Sequence, residues 1–277
     1  MTLTARNNFL RGGIILAGFS LIFIGVSGYF IFTDFPAFSE SAILRSNGFF
    51  QSIVYHFALP SAYVPFWTMV AAAAYSLISI AVIYYFFEKT QSPEVLFLSF
   101  FAISLSFEFA RMMIPLTGTL SFPSMYSIAA FRSLLFGRYF GLFSLFAAGL
   151  FAAGYDFQKQ QTVFSLMVLA SMLIASYVPV DNLYWDSTFI YGKGYASMLS
   201  LAEMGIFSVT IISFFISAYL RDSRTYISIG IGVFLAFTGR NMLLLSDTWI
   251  TPLPGFVLLC LGTWFACSKL HKIYLWL

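Results

Sequence analysis

Residues 94–116 read EVLFLSFFAISLSFEFARMMIPL, a stretch in which only Glu94, Glu108 and Arg111 carry charge. A hydrocarbon core about 30 Å thick is crossed by an α-helix of about 20 mostly apolar residues. The stretch has that length, so it reads as a membrane span. Its inner charges are the unusual part, because an ionisable side chain at a helix centre costs about 2.5–3.5 kcal/mol on insertion scales. Groups of that kind face a partner or a water-lined cavity rather than lipid.

The same ruler finds further candidate spans at 11–32, 64–87, 135–154, 162–180, 197–220, 226–246 and 253–274, which makes eight. Residues 124–154 exceed one bilayer crossing, so 124–136 are expected to lie at the interface or to re-enter. Composition agrees: of 277 residues, 60% are hydrophobic and 9% charged, with a mean hydropathy of +0.87. Soluble chains carry about a quarter charged residues, so a water-soluble domain is excluded. The fold class expected is all-α, a polytopic integral membrane helical bundle. Residues 1–277 read as a single membrane domain. Within it, 1–32 form a retained N-terminal anchor span, 33–63 an external segment and 64–277 a seven-span bundle.

Lysine and arginine set the orientation, since cytoplasmic flanks carry the excess. With the N-terminus inside, the inner flanks hold Arg6, Arg11, Lys89, Lys159, Arg221, Arg224, Lys269 and Lys272, against only Arg45 and Lys193 outside. Both termini are therefore expected in the cytoplasm, and the localisation expected is a bacterial cytoplasmic (inner) membrane. Eight prolines fall on the external side and only Pro93 falls inside. Ile43, Phe50, Ile53, Val54 and Phe57 recur at roughly helical spacing, as in a helix lying on the outer leaflet. The loop 181–196 carries Tyr184, Trp185, Phe189, Tyr191 and Tyr195. It reads as an interfacial aromatic belt, with a ligand-binding lid as the alternative.

Six ionisable residues lie within or at the edges of spans: Glu108, Arg111, Arg132, Arg138, Glu203 and Arg240. Threading the spans alternately places all six in the outer half. Glu108 and Arg111 are three residues apart and share a helix face. Glu203 can pair with Arg138 or with Arg240, and spacing does not choose. Four arginines against two glutamates leave two positive charges uncompensated, and an arginine in low dielectric calls for an anion. Three readings compete: arginines snorkelling to headgroups, a closed structural network completed by acids such as Asp247, and an externally open pocket for a carboxylate, phosphate or lipid headgroup. Gly137 and Gly141, beside Arg138, have the small-xxx-small spacing of close helix packing, and Gly25–Gly28 and Gly230–Gly232 add small surface.

Other chemistry lacks its residues. His56 and His271 fall on opposite sides of the membrane, so no histidine pair can ligate haem or a catalytic metal, and no zinc motif occurs. Cys260 and Cys267 read as small buried hydrophobes. No basic run suggests nucleic acid as a partner. No cofactor is expected. The arginine-rich outer half is loosely similar to that of the exosortase and archaeosortase family, whose nucleophilic cysteine has no counterpart before Arg240.

The turn from Tyr84–Tyr85–Phe86–Phe87–Glu88–Lys89 through Ser92–Pro93–Glu94 into Phe97–Phe101, and the order of spans over 64–274, resemble bacterial seven-helix membrane receptor modules of the 7TMR-DISM type. The resemblance implies sensing on the outside and signal transduction through a separate cytoplasmic partner. The leading expectation is a non-enzymatic, receptor-like or ligand-binding protein with an anion site on Arg111, Arg138 and Arg240, oriented by Glu108 and Glu203. The alternatives are a transporter or flippase for an anionic solute or lipid headgroup, and a structural subunit of a membrane complex.

Overall fold

The computed structural model describes residues 3–34, 61, 63–87 and 92–275. The expected outer-leaflet helix around Ile43–Phe57, with Glu40, Arg45 and His56, lies outside the described residues, as does Lys89. Among the described residues, eight helices are long and apolar enough to cross a membrane: Leu3–Thr33, Tyr63–Phe87, Pro93–Gly118, Ser124–Ala152, Phe157–Tyr177, Ala196–Leu220, Thr225–Leu244 and Pro252–Tyr274. They are numbered here as the first to eighth spans, and "outer" denotes the end opposite the two termini. An even number of crossings puts both termini at one end. All eight expected spans are present, and the fold is an all-α membrane bundle.

The fourth span differs from its expected bounds. It is one unbroken helix from Ser124 to Ala152, with Pro123 at its N-cap position. At 1.5 Å per residue its 29 residues reach about 43 Å. No proline or glycine falls within 124–136 to break it. Phe131, Leu134 and Leu135 are buried there, so residues 124–136 continue the helix. Arg138 consequently sits at its midpoint, deeper than the expected start at 135 implied.

The third span is discontinuous. Its α-helix over Pro93–Ser104 gives way to a 3-10 turn at Leu105–Phe109 and resumes as Ala110–Thr119. Ser92 caps the first segment by accepting from the Val95 amide at 3.3 Å, with Pro93 in the first turn where a missing N–H costs nothing. Polar groups freed in a membrane helix need partners inside the protein. The first two spans supply them: Ser20 donates to the Ser106 carbonyl at 2.8 Å, and Ser76 shares a 2.8 Å hydrogen bond with the Ser106 hydroxyl. The first span is thus packed into the bundle at its most irregular point.

Glycine sets two close contacts. A Cβ on Gly137 would overlap Phe107, and one on Gly141 would overlap Ser104, so the expected small surface of the fourth span seats the broken third span. The seventh and eighth spans meet backbone to backbone through two antiparallel pairs: a Cβ on Gly232 would come 2.8 Å from the Gly262 carbonyl, and one on Gly239 would come 2.6 Å from that of Gly255. Between the fifth and sixth spans runs an antiparallel hairpin, β1 (Val180–Trp185) with β2 (Tyr191–Lys193).

Candidate functional site

The 3-10 turn of the third span carries Glu108, which is buried. Its carboxylate collects two arginines. Arg138 of the fourth span donates from Nε to Oε1 at 3.1 Å and from Nη2 to Oε2 at 3.3 Å, a two-point contact. Arg111 donates from Nη1 to Oε2 at 3.4 Å, along the i, i+3 face that spacing predicts. Arg240 of the seventh span donates from Nη2 to the Arg138 carbonyl at 2.9 Å and lies 5.9 Å from the centre of the Phe101 ring. Spacing left Arg138 free to pair with Glu203; the structure pairs it with Glu108.

Arg111 is 0% exposed, the largest side chain among the fully buried ones. Its Nε donates to the Thr188 carbonyl at 2.6 Å. Thr188 belongs to the hairpin tip, which Asp186 organises by accepting from the Thr188 amide at 2.9 Å, the Thr188 hydroxyl at 2.6 Å and the Ile190 amide at 3.0 Å. Phe189, Ile190 and Tyr191 are buried beneath it. Ser187 ties the tip to Asp247 at 3.0 Å. The aromatic loop therefore divides: Trp185 and Tyr195 stay exposed, while the tip plugs the outer end of the bundle.

Lys193, at the end of β2, is the residue that sequence reasoning left out. It is half-buried, and its ammonium pKa is held below the ordinary lysine range by burial first and by Arg138 next, with Glu203 and Glu108 acting in the opposite sense. Its sequence position gave a weak signal, an isolated lysine on an otherwise acidic external loop. Glu203 is half-buried on the sixth span and faces the buried Tyr139. Arg132 does not join the cluster; it is exposed, about two turns outward of Arg138 on the same helix. Counting the groups that act on one another here, Arg111, Arg138, Arg240 and Lys193 stand against Glu108, Glu203 and the exposed Asp186, four cations to three carboxylates. Two guanidinium donors, Arg111 Nη2 and Arg240 Nε, are buried with no hydrogen-bond acceptor among the described residues.

A second buried carboxylate, also missed, lies at the start of the same span. Glu94 is 0% exposed. Its Oε2 accepts from the Tyr274 hydroxyl at 2.6 Å and the Ser92 hydroxyl at 2.9 Å. Arg221 approaches Oε1 at 4.0 Å, donates to the Phe151 carbonyl at 3.3 Å and to the Tyr226 hydroxyl. This group joins the third, fourth, seventh and eighth spans at the end carrying the termini. Among the described residues no group of three or more His, Cys, Asp or Glu could hold a metal ion.

No family model matches the chain, and no solved structure matches it. The chain is similar to an uncharacterized protein of Treponema pallidum (strain Nichols), 26% identical over 98 residues that cover 35% of this chain and 28% of that protein.

Proposed function

We propose that the protein is a receptor-like, ligand-binding membrane protein whose cluster around Glu108 takes an anionic group in the outer half of the bilayer. The observation that carries this reading is the pair of buried guanidinium N–H groups without acceptors, Arg111 Nη2 and Arg240 Nε, in a cluster with one positive charge in excess. A buried donor left unmade costs free energy, more so when it is charged. A carboxylate or phosphate oxygen supplies both the missing acceptor and the missing charge. Arg111, Arg138 and Arg240 bind in this reading, Glu108 and Glu203 orient them, and the hairpin tip on Arg111 closes over the site. The proposal includes cytoplasmic termini, from the lysine and arginine bias, residence in a bacterial inner membrane, and signalling through a separate cytoplasmic partner.

A second reading, transport of the same anion, draws on the break in the third span. A 3-10 stretch inside a helix often marks a hinge, and transporters build sites at discontinuous helices. The test uses the full chain in neutral detergent, with chloride, acetate and inorganic phosphate compared at constant ionic strength. One anion is expected to raise the unfolding temperature in a saturable way, and Arg240→Gln is expected to abolish the rise. Identical melting in every salt would overturn the reading. Flux of that anion in proteoliposomes would replace sensing with transport.

A further inference from the structure

The outer cluster is roofed at its end and thinly covered on one flank. At the end, Thr188 sits on Arg111, Phe189 and Ile190 are buried, and Tyr191 meets Phe131 of the fourth span with ring centres 5.9 Å apart. On the flank, the fifth and sixth spans each pack along the fourth but hardly touch one another. They are also the two least buried of the eight.

The fourth span shows which of its faces is turned toward this gap. Gly137 and Gly141 press on the third span, and Gly149 meets Thr210 and Ser213 of the sixth. Phe140 lies against Phe100, which in turn lies against Phe164 of the fifth. The remaining face carries Arg132, which is exposed, and Phe143, which is half-buried, eleven residues apart in one stripe, with Tyr139 buried between them. Arg132 is exposed at its outer part. Deeper on the same helix, the buried Tyr139 hydroxyl is turned toward Glu203 of the sixth span. Arg138, with 11% of its side chain exposed, lies one residue away.

We propose that the anion recognised here is the headgroup of an acidic membrane lipid, which reaches the cluster sideways from the bilayer between the fifth and sixth spans, with Arg132 as its first contact. This rests on the anion reading above and adds the ligand's class and its route. With the hairpin in place, a solute from the outer side meets a packed plug, whereas a bilayer lipid would border the exposed fifth and sixth spans. Arg132 stands on that flank at the outer end of a long helix, where outer-leaflet phosphates lie, and a guanidinium matches a phosphodiester in a two-point contact. A phosphodiester headgroup with one net negative charge also equals the excess charge of the cluster. Its acyl chains stay among the exposed apolar side chains of the two spans, including Leu169, Met172 and Leu173 on one and Leu201 and Met204 on the other.

The test compares the full chain with Arg132→Gln, a change at an exposed position that leaves the buried network intact. Native mass spectrometry after incubation with dioleoyl phosphatidylglycerol or dioleoyl phosphatidylcholine reads lipid retention, and thermal unfolding with inorganic phosphate reads the soluble arm. The unaltered protein is expected to retain the acidic lipid in clear preference to the zwitterionic one. Arg132→Gln is expected to lower that retention about tenfold, the scale of one charge-assisted contact, with its response to phosphate unchanged. Equal retention of the two lipids, or retention of the acidic lipid unaffected by Arg132→Gln, would sink lateral lipid entry. If phosphate stabilises both forms while either result holds, the anion site stands and its ligand is soluble. If neither lipid nor phosphate acts on the protein, both proposals fall.

Discussion

The third span buries two carboxylates, one at its start and one near its middle, and the two are solved differently. Glu94 rests on neutral donors, the Ser92 and Tyr274 hydroxyls, with Arg221 no nearer than 4.0 Å and about a third exposed. It also sits in the first turn of its helix, where the backbone dipole favours a negative charge. Glu108 sits in a 3-10 turn and is held by two guanidinium groups, with a third held on the backbone beside them. Glu94 ties helices together through Oε2, while its Oε1 is buried without a hydrogen bond among the described residues. Glu108 is a hub whose cations exceed its anions and whose donors are not all met. Both sites keep an unmet buried atom, so burial by itself does not distinguish them; what differs is its kind, an acceptor oxygen at Glu94 and charged guanidinium donors around Glu108.

The largest expected effect tests that contrast directly. Glu108→Gln removes the charge that Arg111 and Arg138 share, and breaking a buried pair from one side costs about 3–5 kcal/mol. Glu94→Gln keeps an oxygen for Ser92 and Tyr274 and loses only a long, part-exposed pairing with Arg221, worth about 0–1 kcal/mol. Unfolding measured side by side in one detergent checks the order. Equal losses, or a larger loss for Glu94→Gln, would mean that both carboxylates belong to the same kind of clamp. Added anion sharpens the comparison, since it is expected to stabilise Glu94→Gln as it does the unaltered protein.

Of intermediate size is the effect of crowding the glycine seams. Gly239→Ala drives a methyl group into the Gly255 carbonyl of the eighth span, where backbone must move, and overpacking of this kind costs about 1–3 kcal/mol. Gly25→Ala meets nothing within 4 Å and is expected to stay within about 0.5 kcal/mol. Thermal unfolding of the two variants separates a seam from a bystander. A Gly239→Ala protein as stable as Gly25→Ala would show that the seventh and eighth spans tolerate separation.

These contrasts also mark what the sequence makes legible. Span number is legible because the thickness of hydrocarbon dictates it, and the Glu108–Arg111 pair because three residues along a helix bring side chains to one face. The break at Leu105–Phe109 is not, since neither proline nor glycine causes it. It is held by serines from two other spans and by the small face of Gly137 and Gly141. Helix faces are hidden because buried and lipid-facing sides are equally apolar. Lys193 reads as a loop residue, because the β1–β2 hairpin that brings it near Arg138 and Glu203 has no local sequence signal. Glu94 was passed over because a charge at the start of a span is ordinarily wet; Tyr274, 180 residues later, is what buries it.

The smallest expected effect concerns Lys193 and follows from the sign of its shift. Burial and Arg138 lower its folded pKa beneath the unfolded lysine value of about 10.4. Below the folded pKa the ammonium is charged in both states, and the folded state bears the full cost of holding it beside Arg138. As pH rises from the folded pKa toward about 10.4, the folded state releases its proton first, so the unfolded state binds more protons and stability rises with pH. Lys193→Met is expected to remove this alkaline gain and to be the more stable protein at neutral pH. Bound anion opposes the shift, because a negative charge beside Lys193 favours its ammonium form. Stability against pH, measured with and without inorganic phosphate, should therefore show a flatter alkaline rise when phosphate is present. An alkaline rise in Lys193→Met as steep as in the unaltered protein would remove Lys193 from the outer cluster. The cluster would then hold three arginines against three carboxylates, and its charge would no longer call for a ligand.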